Sequence, residues 1–437
     1  MKRVILTAFL LCFLVWNFAE AETVLTIDKV RQIALEYNRQ YLSAQQEIDR
    51  SQGAIISARA GALPELTLSS RYTRNLKNQE LFFGGQKVPI GLNNEFDVSL
   101  SLSQPLYVGG KVGAALQIAK MYKSYTHEKL REVKAAIIFS AESIFYNAIL
   151  AESNRDVLQK AYEQLSYNLQ VVEKYFNQGM SSEYELLRAR VEKANLEPQL
   201  IGAESEVTLS RKRLKSFLGL RLDEDIRLDS NLGDSATLSL PPLDTLVAQA
   251  LQNRPEVKQA DYQKRVYDKA IRIAKGGWLY PVVSLNTTYN FTGSADDFRY
   301  NRQNTAKSWS ASFILSIPLF DGGRTIGEVR QARVDYYQAM LSEKQTLDDV
   351  RLEVEQTYDN LNMARKALDM QKETIAQAEE GMRIADVRYQ SGVGTQLEVL
   401  SAQTALTDAR TNLSRATYNY RLAKAALKKA ISEEIDK

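Results

Sequence analysis

The stretch QPLYVGGK at residues 104–111 recurs as IPLFDGGR at residues 317–324, so the two copies lie 213 residues apart. The segments FNQGM at 176–180 and YQSGV at 389–393 are separated by the same 213 residues. An equal separation of two different motifs indicates that a whole domain-sized segment is present twice. This period is far too long for the unit of a solenoid.

Two further matches show where the chain divides. LPELTL at 63–68 matches YPVVSL at 280–285, and IDKV at 27–30 matches LDTL at 243–246, at separations of 217 and 216 residues. Between the copies, acidic residues and a Pro-Pro pair give turn signals. The sequence therefore predicts a first repeat at 22–220, a linker at 221–240 and a second repeat at 241–437.

The sequence of each repeat predicts two strands followed by two long helices. VSLSLS at 98–103 alternates apolar and polar residues, as in a strand with two different faces. From Lys111 to Phe176 there is no proline and one glycine, which predicts a continuous helix. In the first repeat we predict a helix at 28–60, strands at about 63–73 and 96–107, and helices at about 110–176 and 182–218. In the second repeat we predict strands at about 280–291 and 308–319 and helices at about 323–389 and 395–430. The predicted strand-to-helix corners contain Pro105, Gly109, Gly110, Pro318, Gly322 and Gly323.

Helices of this length need partners along their whole length, as in coiled coils. A soluble fibrous coiled coil is one alternative, but such a fibre has no need of strands. Strands of about ten alternating residues suit a membrane barrel. The aromatic residues predicted at the strand ends also suit an interface belt, although an ordinary sheet would hold them too. They are Tyr107, Trp278, Tyr280, Tyr289, Trp309 and Phe320.

Four strands per chain cannot close a barrel of eight or more strands. An open sheet in lipid would leave unpaired edges, so several chains must share one barrel if these strands enter a membrane. Two chains would give 8 strands and three would give 12. The sequence therefore predicts an oligomer, and leaves its number open.

The first 21 residues read as a targeting segment. Lys2 and Arg3 precede an apolar run at 4–18, and the small residues of Ala19-Glu20-Ala21 predict cleavage after Ala21. An uncleaved anchor helix is the alternative. Cys12 lies inside the apolar run without a small-residue lipobox, so lipidation is not predicted. After the leader, no segment is expected to approach the length and apolarity of a membrane-spanning helix.

The rare residues exclude most kinds of catalytic and metal site. The 437 residues include one histidine and one cysteine, which excludes His/Cys zinc sites, iron–sulfur clusters and Cys-His nucleophiles. The net charge of +3 implies no general attraction to nucleic acid. The acids at 223–225 are read as a solvated turn and not as a metal site, and no carboxylate pair lies on a catalytic scaffold. We therefore expect neither an enzyme nor a cofactor.

Taken in order and in duplicate, these motifs resemble the TolC-type outer-membrane efflux proteins over the whole mature chain. The resemblance implies a mainly α-helical homotrimer with one shared 12-stranded β-barrel, four strands per chain. A long periplasmic α-helical barrel continues it, girdled near residues 221–240 and the C-terminal end by an equatorial region. It implies a passive exit duct of a tripartite efflux or type I secretion system, joined to an inner-membrane pump by a periplasmic adaptor. The loops at about 74–95 and 293–307 would then lie outside the cell.

The resemblance also places a gate at the two helix breaks, at the end of the tunnel away from the membrane. Glu185 and Glu398 each lie six residues after a glycine of a break, and Tyr389 matches a tyrosine with which the family holds the entrance shut. Carboxylates facing one axis would favour cations. The alternative for both acids is a helix N-terminal position favoured by the helix dipole.

The family prototype has an arginine where Gly394 stands here and a second acid where Ser401 stands. We therefore expect the gate to be held differently, with Arg188, Arg190 and Arg388 as candidates. The breaks themselves would be tips for adaptor docking. Their candidate residues are Gly179, Met180, Ser181, Gly392, Val393, Gly394 and Thr395.

One rival function remains: a periplasmic adaptor-like coiled-coil binding protein of an export system. Adaptors also carry long helical hairpins, but generally only one, so the duplication argues against this alternative. Neither the exported substrate nor the class of pump can be read from the sequence.

Overall fold

The computed structural model describes residues 23–229, 240–277, 280–297 and 304–433. The predicted leader at 1–21, Trp278 and part of the second loop lie outside the described residues. The helices are α1 Ile27–Tyr37, α2 Arg39–Ala60, α3 Lys111–Asn177, α4 Glu183–Leu218, α5 Leu243–Asn253, α6 Pro255–Lys275, α7 Arg324–Gln390 and α8 Gln396–Ala430. The strands are β1 Thr23–Leu25, β2 Glu65–Arg74, β3 Gln79–Phe83, β4 Gln86–Ile90, β5 Asn94–Val108, β6 Ile226–Leu228, β7 Val282–Ala295 and β8 Thr305–Ser316.

The two longest helices, α3 and α7, contain 67 residues each. At a rise of 1.5 Å per residue, each is about 100 Å long. Both are followed by glycines in the left-handed region, Gly179 at φ +72° and Gly392 at φ +75°. A residue with a Cβ atom rarely adopts this backbone conformation, so glycine ends both helices at equivalent places.

The single helix predicted at 28–60 is in fact two helices. Asn38 has extended backbone angles, and its side-chain Oδ1 accepts hydrogen bonds from the amides of Gln40 and Tyr41 at 2.9 and 3.4 Å. An asparagine that accepts from the following amides favours a new helix start over continuation of the old helix. The prediction missed this break because no proline or glycine marks it.

Four strands, two from each repeat, form one antiparallel sheet in the order β2-β5-β7-β8. The repeats meet where β5 pairs with β7, from Asn94 opposite Ala295 to Val108 opposite Val282. A register shift between Pro105 and Tyr107 interrupts this pairing, and it accommodates a proline that cannot donate to the ladder. Strands β2 and β8 are the two edges of the sheet.

Two small pairings were not predicted. Strands β1 and β6 form a parallel pair, with Thr23 opposite Ile226, so that the predicted linker contains a strand. Within the predicted loop at about 74–95, β3 and β4 form a hairpin of their own. Such three- and five-residue strands carry too little periodicity to be recognised from sequence.

The described residues cluster into two compact units. One comprises residues up to Ala44, Leu130–Pro255 and residues from Leu347 onward, and the other comprises Gln45–Lys129 and Glu256–Thr346. The main apolar core of the first unit packs α1, α3 and the end of α4 around Phe145, which is fully buried. Leu214 and Leu218 of α4 and Leu25 of β1 are equally buried in this core.

One helix after the leader does approach membrane-spanning composition, contrary to the sequence prediction. By length and composition alone, α3 is long and apolar enough to cross a bilayer. Its residues Ile137, Ala141 and Phe145 pack in the core of the first unit, and Glu142 among them is ion-paired with Arg31 at 2.6 Å. The apolar residues of α3 therefore have protein partners within the chain.

Candidate functional site

The four-stranded sheet has two chemically opposite faces. In one row across the strands, Leu68, Leu100, Tyr289 and Trp309 lie opposite one another. All four are exposed, from 41% for Leu100 to 79% for Trp309. Residues directly opposite each other on neighbouring strands lie on the same face, and so do residues two apart along one strand. The same face therefore carries Leu66 and Phe313, which are also exposed. In the three rows from Leu66 to Ser70 this face is apolar except for Ser70, Thr287 and Lys307, and other described residues do not cover it.

The opposite face is lined mainly by small polar side chains, with the charged Glu65, Arg71 and Asp97 among them. The row next to Leu100 places Ser101 opposite Thr67 and Thr288, with Ser310 on the far strand. The neighbouring rows on this face contain Ser69, Ser99, Ser103, Asn286, Asn290, Ser308 and Ser312. A sheet of this kind has no apolar core against either face. Because apolar and polar side chains alternate along the strands, the sheet suits a wall between lipid and water.

Two polar groups on the apolar face, those of Trp309 and Thr287, are paired locally. Trp309 donates its indole N–H to Thr287 Oγ1 at 2.9 Å, and the Thr287 hydroxyl donates to the Ser310 carbonyl at 3.0 Å. Such pairing is required where water is absent. Tyr289 and Trp309 oppose each other within the strands and not at their ends. Nearer one end of the sheet, the rings of Tyr72 and Phe96 lie 4.7 Å apart.

The strand-to-helix corners are built from the predicted glycines. Gly109, Gly110, Gly322 and Gly323 all have positive φ. A Cβ atom on Gly109 would lie 2.9 Å from the Gly276 carbonyl oxygen, so this corner also requires glycine for close backbone approach. Pro105 lies inside β5, whereas Pro318 follows the end of β8 at Ser316.

The second corner carries an additional carboxylate. Asp321 accepts from the amides of Gly323 and Thr325 at 3.0 and 2.9 Å and from the Thr325 hydroxyl at 2.5 Å. These hydrogen bonds, first of all that from the Thr325 hydroxyl, hold the pKa of Asp321 below its usual value. Val108 is the matching residue of the first corner, so Asp321 fixes only the start of α7.

The first helix break, between α3 and α4, ends in a capping box. Ser182 accepts from the Glu185 amide at 3.2 Å, and the Glu185 carboxylate accepts from the Ser182 amide at 3.2 Å and from Ser181 Oγ at 2.6 Å. These contacts agree with the alternative considered for Glu185, that of an acid at the N-terminus of a helix. Gly179 turns the chain, and Met180 is 65% exposed beside it.

The second break, between α7 and α8, is a tighter turn. The amides of Val393 and Gly394 both donate to the Arg388 carbonyl, at 3.0 and 2.9 Å. A Cβ atom on Gly394 would meet Arg388 Cβ at 2.9 Å and the Tyr389 amide at 3.0 Å, which leaves no room for a side chain. Thr395 caps α8 by accepting from the Glu398 amide at 3.3 Å. The absence of arginine at 394 thus has a steric reason in this turn.

Tyr389 is the predicted gate residue that touches both helical hairpins. It packs against Met382 and Val399 of α7 and α8, and also against Val172 and Leu186 of α3 and α4. Its ring lies 6.0 Å from that of Tyr175. Burial, followed by the nearby charge of Glu185, raises the pKa of the Tyr389 hydroxyl, so it stays neutral over a wide range of pH.

Glu398, Arg388 and Arg190 make ion pairs within their own hairpins. Arg388 Nε lies 3.3 Å from the Glu398 carboxylate, and both side chains are about half exposed. Arg190 contacts Glu173 at 3.2 Å across the first hairpin. Arg188 lines a half-open cavity of about 320 Å³ between α3, α4 and α8, and this cavity also contains Ser401. The ion pairs of Arg190 and Arg388 therefore brace single hairpins.

Gln396, which was not predicted from the sequence, joins the two breaks. Its side-chain Nε2 donates to the Glu185 backbone carbonyl at 3.1 Å, between residues 211 positions apart. Gln396 is 2% exposed although it is the first residue of α8. No sequence signal identifies it, because glutamine is common near helix starts and its matching residue in the first repeat is Glu183.

The acidic turn at 223–225 is held by neighbouring basic residues. Arg221 contacts the Asp223 carboxylate at 2.6 Å, and the largely buried Lys215 donates to the carbonyls of Leu222 and Glu224 at 3.0 and 2.6 Å. Among the described ranges, no cluster of three or more His, Cys, Asp or Glu side chains could hold a metal ion. Lys215 thus closes the C-terminal end of α4.

Comparison with known proteins agrees with this architecture. The model of the family described as "Outer membrane efflux protein" matches residues 30–220 and 246–433, one segment in each repeat. Outer membrane protein TolC of Vibrio cholerae is 23% identical over 405 residues, covering 91% of this chain and 88% of that protein. The solved structure of VceC, also from Vibrio cholerae, has a TM-score of 0.76 at 20% identity, covering 94% of this chain and 97% of that one. The Campylobacter jejuni CmeC outer membrane channel has a TM-score of 0.79 at 19% identity, covering 94% and 87%.

Proposed function

The chain belongs to the outer membrane efflux protein family, and we propose that three copies of it form a gated outer-membrane exit duct. The observation that carries this proposal is the two-faced sheet with its free edges β2 and β8. An apolar face exposed along four strands suits lipid, and a face of serine, threonine and asparagine suits a water-filled lumen. Three copies joined edge to edge would close a 12-stranded barrel without leaving unpaired strands in the membrane.

The duct conducts passively and performs no catalysis. Its partners are a periplasmic adaptor and an inner-membrane pump, which supplies the energy in a tripartite efflux or type I secretion system. The tips at Gly179 and Gly392 carry the exposed side chains of Met180 and Val393, which are 65% and 71% exposed. Exposed apolar side chains at a helix tip suit docking of a partner helix.

The chain reaches the outer membrane after cleavage of residues 1–21, and its new N-terminus is not acylated. Intact-mass measurement of the purified protein tests both statements. A mass that begins at Glu22 without an added lipid is the expected result. A retained leader or an added acyl chain contradicts this part of the proposal.

The gate residues of the proposal are Tyr389, Glu185 and Glu398. Tyr389 supplies the apolar contact between hairpins, while the half-exposed Glu398 supplies a carboxylate that can meet permeating ions. Three such acids near one axis favour cations and bind multivalent cations. Glu185 is engaged in its capping box and has the smaller effect on permeation.

Single-channel recording in a planar bilayer tests this function. We expect a cation-selective current from the oligomer, weaker cation preference in Glu398→Gln, and no such change in Glu379→Gln. Glu379 is a matched control because it also pairs with an arginine of its hairpin, Arg410, at 3.2 Å. Equal selectivity in all three proteins contradicts a lumen-facing Glu398. Absence of current from a heat-resistant oligomer in the outer-membrane fraction contradicts the duct itself.

Replacement of the tip glycines tests docking. Gly179→Trp and Gly392→Trp add bulk where nothing lies within 4 Å of the Cβ position, and Gly179→Ala and Gly392→Ala are controls that add the same left-handed backbone strain without the bulk. A loss confined to the tryptophan variants reports on a partner at the tips. Export is expected to fall while the oligomer survives. Normal export by both variants contradicts docking at the tips. A periplasmic adaptor-like protein, the rival function, would instead fractionate with the periplasm and give no channel.

A further inference from the structure

The buried environment of Gln396 is not explained by its position at the start of a helix. Thr395 already caps α8, so the Gln396 side chain is not required for capping. At such a position a glutamine side chain is normally solvated, whereas this one is 2% exposed. Burial of an amide without full hydrogen bonding costs stability, and a contact must compensate for it.

The compensating contact is a hydrogen bond to the other hairpin. Gln396 Nε2 lies 3.1 Å from the carbonyl oxygen of Glu185, in the first turn of α4. A carbonyl has two lone pairs, so this oxygen can accept the amide in addition to a bond within its own helix. The carbonyl acceptor also fixes the orientation of the amide, because the reverse orientation would bring two oxygens together.

The remaining half of the amide is unsatisfied. Gln396 Oε1 is buried and has no hydrogen-bond partner among the described residues. The side chain is therefore committed to one donor bond, and the two hairpins must lie at this separation for that bond to form. Tyr389, which packs on both hairpins, provides the apolar contact of the same junction.

Building on the gate assigned above, we infer that the Gln396 amide is the latch that holds the two hairpins of one chain in the closed arrangement. Opening of the gate separates Gln396 Nε2 from the Glu185 carbonyl, and the freed amide is then hydrated. Because the latch joins two uncharged groups, its strength is insensitive to salt. The Arg388–Glu398 pair is an exposed ion pair and is weakened by salt.

Gln403 provides a matched control on the same helix. It is 6% exposed, and its Oε1 is likewise buried without a partner among the described residues. Its Nε2 donates to Thr407 Oγ1 at 3.5 Å, a contact that stays within α8. Substitution of Gln403 therefore removes a buried amide without removing a bond between hairpins.

The experiment compares Gln396→Leu, Gln403→Leu and the parent protein in planar bilayers. Loss of one neutral hydrogen bond is expected to raise the ratio of open to closed states roughly 2- to 12-fold. The increase should be the same at low and high salt, and Gln403→Leu should behave like the parent. Equal open ratios for Gln396→Leu and the parent overturn the latch while leaving the duct intact. If the parent and every variant are silent as intact oligomers, the proposed duct fails instead.

Gln396→Glu gives a readout that a merely structural residue would not give. At neutral pH its carboxylate faces the Glu185 carbonyl without a proton to donate, so the gate should open more. At a pH low enough to protonate the carboxylate, the acid can donate again and the closed state should return. The rate of hydrogen exchange at the backbone amides of residues 183–189 should be raised at neutral pH and return toward that of the parent at low pH. This measurement does not depend on channel current. Exchange and gating that follow the parent at both pH values overturn the inference.

Discussion

A charge placed on the apolar face of the sheet should block membrane insertion, whereas the same charge one residue away should not. Leu100 lies in the row with Leu68, Tyr289 and Trp309, and Ser101 faces the opposite side. The substitutions Leu100→Lys and Ser101→Lys therefore add the same side chain to adjacent positions of β5. They differ only in the face of the sheet that receives it.

The magnitude follows from the depth of the position. Leu100 is the third of four alternate apolar residues from Phe96 to Leu102, a stretch that spans about 20 Å at 3.4 Å per residue, so it lies near the middle of the apolar face. A lysine facing lipid near the midplane costs about 2–4 kcal/mol. This corresponds to a loss of roughly 30- to 900-fold in the insertion equilibrium for each chain. If three chains share the barrel, the cost is about 6–12 kcal/mol for the assembly.

Refolding into phospholipid vesicles across a urea series measures this cost, with the heat-resistant oligomer on gels as the readout. Leu100→Lys should shift the midpoint strongly to lower urea, and Ser101→Lys should insert like the parent. In planar bilayers, Ser101→Lys should reduce cation preference because it adds positive charge to the lumen. Equal insertion of the two variants would refute the assignment of the faces. So would an insertion defect confined to Ser101→Lys.

Three other substitutions test the first unit, the second tip and the second corner. Arg31→Ala should lower the free energy of unfolding by roughly 2–3 kcal/mol, because it leaves the largely buried Glu142 carboxylate without its ion pair; chemical denaturation measures this, and an unchanged midpoint contradicts it. Gly394→Ala should lower the thermal midpoint because its Cβ has no room, whereas Gly381→Ala, in open space within α7, should leave it equal or higher; circular dichroism compares them, and equal loss in both is the contrary result. Asp321→Ala should weaken the start of α7 at pH 7 but have little effect at a pH well below the lowered pKa of Asp321. The Asp321 carboxylate contributes stability above the pKa that it has in the unfolded chain, and this contribution is lost as the pH falls through its pKa in the folded chain. Thermal unfolding at both pH values checks this, and an effect of equal size at the two would contradict it.

The mainly helical fold with two long strands from each repeat is confirmed, and the reason is that each motif acts locally. Gly179 and Gly392 end helices because their backbone angles require glycine, whatever packs around them. Likewise, the alternation around Leu100 reports directly on the two environments of a strand. Signals of this kind need no knowledge of tertiary contacts.

The junction between the hairpins could not be predicted for the opposite reason. The bond from Gln396 to Glu185 joins residues 211 positions apart and uses a backbone oxygen, which every residue possesses. The function of Glu185 is equally hidden, since its side chain caps a helix while its carbonyl makes the contact between hairpins. The break at Asn38 escaped because asparagine is tolerated inside helices as well as at their starts.

The duplication explains why the proposed latch has a direction. Gln396 of the second repeat matches Glu183 of the first, which is exposed at the start of α4. A carboxylate at that place cannot donate to a carbonyl, so the first repeat can only accept at this junction. Glutamine in both repeats would place a second side-chain donor at the junction, whereas Glu183 offers none. The difference between these two residues therefore gives the junction a side-chain donor in the second repeat and none in the first. Gln396→Glu makes the two positions alike again, and it should release the gate at neutral pH.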